Sequence, residues 1–319
     1  MLKKNSASKK EKMTFQRPLT TYSIVAHDPA TGECGVAVQS HWFSVGSVVP
    51  WAKAEIGAVA TQSFVDPSYG PLGLTLMQAG KLPHEALDAL LTADSNRETR
   101  QVAMIDTNGN VAVHTGSRCI AEAGHIKGEN FAVQANMMVN NRVWPAMEEA
   151  FVTADGDLAD RLLTALEAAE DVGGDVRGKQ SAALLVVRGC STRRSWRDTK
   201  FDLRVEDHVT SLEELRRLLR ISRAYKHASR GDELVANQKL LEAKRAYEAA
   251  ASLAPEKGEL TFWYAIALVS SDKFNEARPL FAKLFEKEPQ WRELVRRLPD
   301  AGILSNNREL IESIISIDS

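Results

Sequence analysis

Residues AKRAYEAAASLAP (243–255) recur as ARPLFAKLFEKEP (277–289), with Ala243 matching Ala277, Tyr247 matching Phe281 and Pro255 matching Pro289, each 34 residues apart. A fixed period of this length restricts the fold strongly. Each unit is a helix pair that cannot bury its apolar face alone, so neighbouring pairs must stack. The small residue lets two helices approach, the aromatic fills their interface and the proline ends the pair. Only about two units are present, so the module is expected to lean on the rest of the chain for stability.

Upstream of Ser211 segments with an apolar period of two alternate with segments of helical spacing. YSIVAH and CGVAVQS alternate on either side of DPATGE, whose Pro29 and Gly32 supply turn chemistry, and they predict a β-hairpin. GAVATQS (57–63) predicts a buried strand, and GPLGLTLMQAG and PHEALDALLTA, the second opened by Pro83, predict two helices. QVAMID and VAVHTG flank TNGN, where Asn-Gly accepts the positive φ angles of a tight turn. FAVQANMM predicts a strand, VWPAMEEAFV and LADRLLTALEAAE two helices, and SAALLVV and FDLRVED the last strands. This order suits sheets packed face to face with helices outside, a layered α+β domain over residues 20–208. SLEELRRLLRISRAYKHA predicts a connecting helix over 209–231, with Ser211 as N-cap and Glu214 completing a capping box, before all-α helical repeats over 232–319.

A chain of 319 residues can hold two domains with adequate cores. Its formal charge of −2 supplies no global field for nucleic acid or an anionic membrane, and no apolar run reaches the roughly 20 residues of a bilayer crossing, so neither is an expected partner. Cys34, Cys119 and Cys190 are widely spaced and odd in number, which predicts free thiols and a cytoplasmic location. The leader MLKKNSASKKEKMTFQRP has lysines but no apolar core of a secretory signal; residues 1–19 are expected to be disordered, and Met13 is an alternative start. No cofactor and no metal are expected. Walker, GxGxxG, HExxH and GxSxG motifs are absent, DTNGN lacks the acidic residue that closes a calcium loop, and His27, His41, His114 and His125 have no partners at ligand spacing.

The first strand opens with two threonines, Thr20 and Thr21. An N-terminal threonine is chemically special because its own α-amine, with a pKa of about 8, can take the hydroxyl proton. Thr21 acts this way only if the leader is removed; otherwise it is a β-branched strand opener.

The stretch TYSIVAHDPATGECGVAVQSHWFSVGSVVPWAKAEIGAVATQSFVDPSYGPLGL, followed by AGHIKGENFAVQANMM, GGDVRGKQSAALLVV and FDLRVEDH, resembles the domain-of-unknown-function family numbered 1028 across residues 21–208. The resemblance implies a four-layer αββα sandwich related to the N-terminal-nucleophile hydrolases, with a site at one end of the two central sheets. The family's threonine matches Thr21, with Thr20 as the off-by-one alternative; typical relatives carry it near the chain start, whereas here some twenty residues precede it. The 34-residue period is similarly that of tetratricopeptide repeats, whose groove would take a protein partner.

Other candidates divide between chemistry and structure. Ser40 ends the second strand, where its hydroxyl can orient the threonine amine or cap the strand. Lys53 follows Thr21 by 32 residues, a spacing that resembles the basic residue of threonine-type hydrolases, or is a solvated lysine. Asn136 is polar in an apolar strand and its amide can donate to an oxyanion or to a neighbouring loop. Thr61 and Gln62 contact substrate or find their hydrogen bonds inside the fold. Asp175, Arg177, Gln180 and Ser181 crowd the glycine-rich DxRGxQS loop, where Arg177 clamps a substrate carboxylate or pairs with Asp175. His125 lies in a segment that carries the resemblance. Together these predict an amide hydrolase acting on a small amide or peptide-like substrate, or a metabolite- or peptide-binding protein on the same scaffold, with a homodimer covering exposed strand edges.

Overall fold

In the computed structural model, which describes residues 17–19 and 21–317, the period-two segments pair into two antiparallel sheets. Thr20 and residues 1–16 of the leader expected to be disordered lie outside the described residues, whereas the leader's last residue, Leu19, departs from that expectation by bridging to Ser63 and being fully buried. The chain divides into two units, residues 1–216 and 217–319.

The first unit runs β1 (Thr21–His27), β2 (Cys34–Ser40), β3 (Pro50–Lys53), β4 (Gly57–Ser63), α1 (Tyr69–Gln78), α2 (Pro83–Ala93), β5 (Arg100–Asp106), β6 (Val111–Thr115), β7 (Gly124–Gly128), β8 (Phe131–Asn136), α3 (Val143–Thr153), α4 (Leu158–Asp171), β9 (Ser181–Val187), the short α5 (Ser195–Asp198) and β10 (Thr199–Val205). One sheet has the order β10-β9-β2-β1-β8-β7, the other β3-β4-β5-β6. Helices α3 and α4 pack on the six-stranded sheet, α1 and α2 on the four-stranded one, and the two sheets face each other through β1, β2, β4, β5 and β8. The architecture is a four-layer αββα sandwich.

Alternation explains the layers. On β1, Tyr22, Ile24 and Ala26 face the helices, and the Tyr22 hydroxyl donates to Glu170 Oε2 of α4 at 2.7 Å. Val25 faces the other way, into a cluster with Val36, Val38, Ala58, Ala60, Ala103, Ile105, Ala132 and Ala183, all but one of them fully buried. The many alanines let the two sheets approach closely over this half of their interface.

Two strands escaped the sequence reading. PWAK and GHIKG form β3 and β7. Both sit at sheet edges and are only partly buried, so they lack the two-sided apolar pattern that marked the central strands. Ser211 also differs from expectation: it is the first residue of α6 (Ser211–Ala236), not its cap, and its buried hydroxyl has no hydrogen-bond partner among the described residues.

Gly70, in the first turn of α1, lies against Trp51, where a Cβ would stand 2.2 Å from the indole ring. Gly70→Ala is therefore expected to destabilise the first unit by about 1–3 kcal/mol, the usual range for overpacking. Thermal unfolding followed through tryptophan emission checks this.

The second unit continues α6 into α7 (Leu240–Leu253), α8 (Gly258–Ser270), α9 (Phe274–Lys287), α10 (Trp291–Arg297) and α11 (Arg308–Ile315). The repeat positions perform the expected packing: Ala243, Ala277, Tyr247 and Phe281 are buried in one cluster with Phe262 and Phe285. Tyr247 stacks on Tyr264 with centroids 4.9 Å apart and donates its hydroxyl to Asp232 at 2.6 Å, while Phe262 meets Phe281 edge-on. Phe262 and Tyr264 are thus part of the helical core.

Candidate functional site

At one end of the sandwich the inter-sheet face changes from apolar to polar. Register pairs Thr21 with Asn136 and Ser40 with Ser181, and the Tyr22–Gln39 pairing sets Thr21 beside Ser40. Asn136, Thr21, Ser40 and Ser181 consequently form one row across β8, β1, β2 and β9, every member fully buried. The Thr21 hydroxyl stands 3.2 Å from both the Ser40 hydroxyl and the Leu19 carbonyl oxygen.

A glutamine cluster bridges this row to the other sheet. Gln62 donates through Nε2 to Thr21 O at 3.1 Å and to Gln101 Oε1 at 2.7 Å, and its Oε1 accepts from Ser23 at 2.6 Å. Asn136 Nδ2 donates to Gln101 Oε1 at 2.9 Å. Gln134 Nε2 donates to Ser23 Oγ and Ala60 O, each at 3.2 Å. Gln101 Nε2 in turn donates to Thr115 Oγ1 and Ala135 O, each at 2.9 Å. Burying these amides is tolerable because their donors are matched by acceptors across the interface.

The loop after β2 and the loop before β9 close this end. Asp175 accepts from the His41 backbone N–H at 3.2 Å and holds Arg177 through Nε and Nη2 at 3.2 and 3.0 Å. Ser181 Oγ accepts from Val45 N–H at 3.1 Å and donates to the Trp42 carbonyl. A cleft of about 560 Å³ lies alongside, lined by His41, Trp42, Phe43, Met137, Arg177 and Gln180 together with Arg17 and Pro18. Ser44, Ser63 and Met137, all at this end, take left-handed backbone with φ of 58°, 71° and 57°. Such conformations cost energy without glycine and concentrate where function constrains the chain.

The structure gathers Thr21, Ser40, Gln62, Asn136, Asp175, Arg177, Gln180 and Ser181 at this end. Three residues expected as candidates do not join them. Lys53 lies at the far end of β3 opposite Gly57, about 17 Å along β4 from Gln62 at roughly 3.3 Å per residue, and its ammonium donates to Gln78. Its spacing of 32 residues in sequence was no guide, because the chain turns between β3 and β4 and carries it away. Thr61 shares β4 with Gln62 but points to the opposite face, donating to Asp66 O at 3.2 Å. His125 sits on edge strand β7 and reaches the row only through Thr115, whose hydroxyl is 2.8 Å from its Nδ1. Asn136 has its donors committed to Gln101 and Thr21 O, while its Oδ1 has no hydrogen-bond partner among the described residues. Gln101 and Gln134, polar residues in apolar strands like Asn136, carried the same signal in the sequence and were passed over.

Burial and the neighbouring His114 lower the His125 pKa below the ordinary histidine value. Its proton is bound more readily in the unfolded chain, so its contribution to stability is present above about pH 6.5 and is lost as the pH falls towards the folded-state value. His125→Gln is expected to flatten the pH dependence of Tm in that window, and an NMR titration of His125 should give a midpoint below 6.5. A midpoint above that value would contradict the assigned environment.

Burial pushes the Cys34 thiol up to about 12, which removes it as a thiolate nucleophile at neutral pH. Among the described residues no group of three or more His, Cys, Asp or Glu is arranged to hold a metal ion, and no helix is long and apolar enough to cross a membrane.

A layered αββα domain with a polar row at one end of its sheet interface thus precedes a helical-repeat module. The chain belongs to the family of unknown function DUF1028, whose model matches residues 21–215. A tetratricopeptide-repeat model matches residues 234–298. A crystal structure of a protein from Silicibacter pomeroyi assigned to the same family is similar, with 32% identity, a TM-score of 0.56, and coverage of 63% of this chain and 88% of that one. No curated protein matches the chain.

Proposed function

We propose that the first unit is an amide hydrolase of the N-terminal-nucleophile type, kept latent by the chain upstream of Thr21. The observation that carries this reading is the Thr21 hydroxyl itself, at the start of a central strand, between the sheets, 3.2 Å from Ser40 Oγ and at the end bordered by the cleft. While Thr21 remains inside the chain its nitrogen is an amide and cannot serve as a base. Cleavage of the Thr20–Thr21 bond gives it an α-amine. The hydroxyl oxygen then bonds to a substrate amide carbon while the amine takes the hydroxyl proton. The C–N bond breaks, and the leaving amine carries that proton away. Water next attacks the Thr21 ester, returns a proton to the hydroxyl and releases the acid.

Ser40 orients the new amine. Asn136 and Gln62 hold the Thr21 carbonyl, which leaves the oxyanion to a backbone N–H. Arg177, positioned by Asp175 on the cleft wall, favours a small amide or peptide bearing a carboxylate. On this reading the protein works in the cytoplasm without a cofactor, as a homodimer, and the repeats engage a protein partner.

A second reading, a binding protein on the same scaffold, is favoured by the complete burial of Thr21 beneath Leu19. Intact-mass measurement of the purified protein, before and after a β-lactone probe, separates the two. The hydrolase reading expects a chain beginning at Thr21 that gains one probe adduct on that residue. An N-terminus that always lies upstream of Thr20, with no adduct, supports the binding protein instead.

A further inference from the structure

The chain upstream of β1 stays at the sheet end and is built into it. Leu19 pairs with Ser63, the last residue of β4, as a bridge: its N–H donates to Ser63 O at 2.7 Å, and the Ser63 N–H donates back to Leu19 O at 3.0 Å. The Leu19 side chain is fully buried in the inter-sheet cluster. Its carbonyl oxygen is also the one that lies 3.2 Å from the Thr21 hydroxyl. The two preceding residues, Arg17 and Pro18, line the cleft with Trp42, Phe43 and Arg177. Proline suits an extended strand that pairs on one side only, and it biases the residue before it towards extended backbone.

Paired main-chain bonds to a strand end, with a closed pocket for one side chain, are the two parts of peptide recognition by strand addition. We propose that Arg17-Pro18-Leu19 is an internal peptide ligand of this site. The vacated site then takes an extended peptide or peptide-like amide with a leucine-sized apolar side chain, read by Ser63. This deepens the hydrolase reading and rests on it for the departure of the segment, though the recognition itself requires no catalysis. Three features argue that the segment occupies a receptor instead of merely continuing the fold. Its carbonyl already lies within hydrogen-bond distance of the candidate nucleophile. Ser63 is held in left-handed backbone at the point of pairing. When the segment leaves, an apolar pocket and two strand-type backbone groups lose their partners together, and a peptide of the same pattern restores all of them.

The test uses the full-length chain carrying Leu19→Asp, with Leu19→Gly as a second variant that removes the anchor without adding charge. The probe is a fluorescein-labelled, C-terminally amidated pentapeptide with the sequence QRPLT of residues 16–20. The peptide is expected to bind either folded variant at least tenfold more tightly than wild type, whose site is filled, and to lose at least tenfold when its leucine is replaced by aspartate. Hydrogen exchange in wild type supplies a readout independent of the variants: the Ser63 amide should be protected, and the protection should fall in the variants and return with peptide. Equal binding to wild type and variants, indifference to the peptide's leucine, or an unprotected Ser63 amide in wild type overturns the proposal. Thr21 labelling separates this from catalysis. Labelling without peptide binding removes the ligand class and leaves the nucleophile, whereas peptide binding without labelling removes the nucleophile and leaves the ligand site.

Discussion

Thr21→Ala, in protein whose chain begins at residue 21, is expected to reduce amide hydrolysis by about three orders of magnitude or more, because loss of a nucleophile removes the covalent route and cannot be offset by residual binding. Stability should change little. With Leu19 gone, the substitution deletes a hydroxyl whose remaining neighbour is Ser40 Oγ, and such a bond is worth about 1 kcal/mol net. For a unit of this size that is a Tm shift of about 2–4 °C. Thr21→Ser keeps both amine and hydroxyl and should keep most of the activity; Thr21→Cys keeps a nucleophile of different basicity and should retain a fraction. Steady-state kinetics on an amide substrate, alongside thermal unfolding, checks the pair of expectations. Wild-type turnover by Thr21→Ala would remove Thr21 from the chemistry, and a collapse in Tm equal to the loss of activity would make the residue structural.

Gln101→Ala is expected to give the largest loss of stability among single substitutions at the polar end. Gln101 accepts from Gln62 and Asn136 and donates to Ala135, all fully buried, and to the partly buried Thr115. Truncation leaves several buried groups unpaired at about 1–3 kcal/mol each, so a total of about 3–5 kcal/mol is expected. At about 2–4 °C per kcal/mol this lowers Tm by roughly 6–20 °C. A double-mutant cycle with Gln62→Ala should show coupling above about 1 kcal/mol, because the second truncation removes a donor already orphaned by the first. Additive losses would mean that the two amides act independently, contrary to their 2.7 Å bond.

These two effects come from the same end of the molecule, and the division of labour is physical. The apolar half of the sheet interface, with Val25, Val36, Val38 and Ile105, supplies non-directional burial. Strand register holds Thr21, Ser40 and Asn136 in one row within their sheet, and the polar half fixes the other sheet against that row through directional bonds.

The alternation of YSIVAH, CGVAVQS and FAVQAN was sufficient to establish central strands, and the 34-residue spacing of Ala243 and Ala277 was sufficient for helical hairpins, because both follow from a local rule about which face each residue occupies. The same alternation puts Thr21 and Ser23 on one face of β1 without any knowledge of the partner strand. What faces them was decided only by tertiary structure. The Thr21–Asn136 register, the bond from Gln62 to Gln101 and the approach of Asp175 to His41 join residues separated by up to 134 positions. Lys53 and Thr61 show the limit in the other direction: spacing and residue type favoured them, and chain reversal and strand facing sent them elsewhere. Local periodicity determines the elements because it acts over one or two turns of backbone, whereas the site depends on which strand ends meet, and that is fixed by burial summed over the whole sandwich.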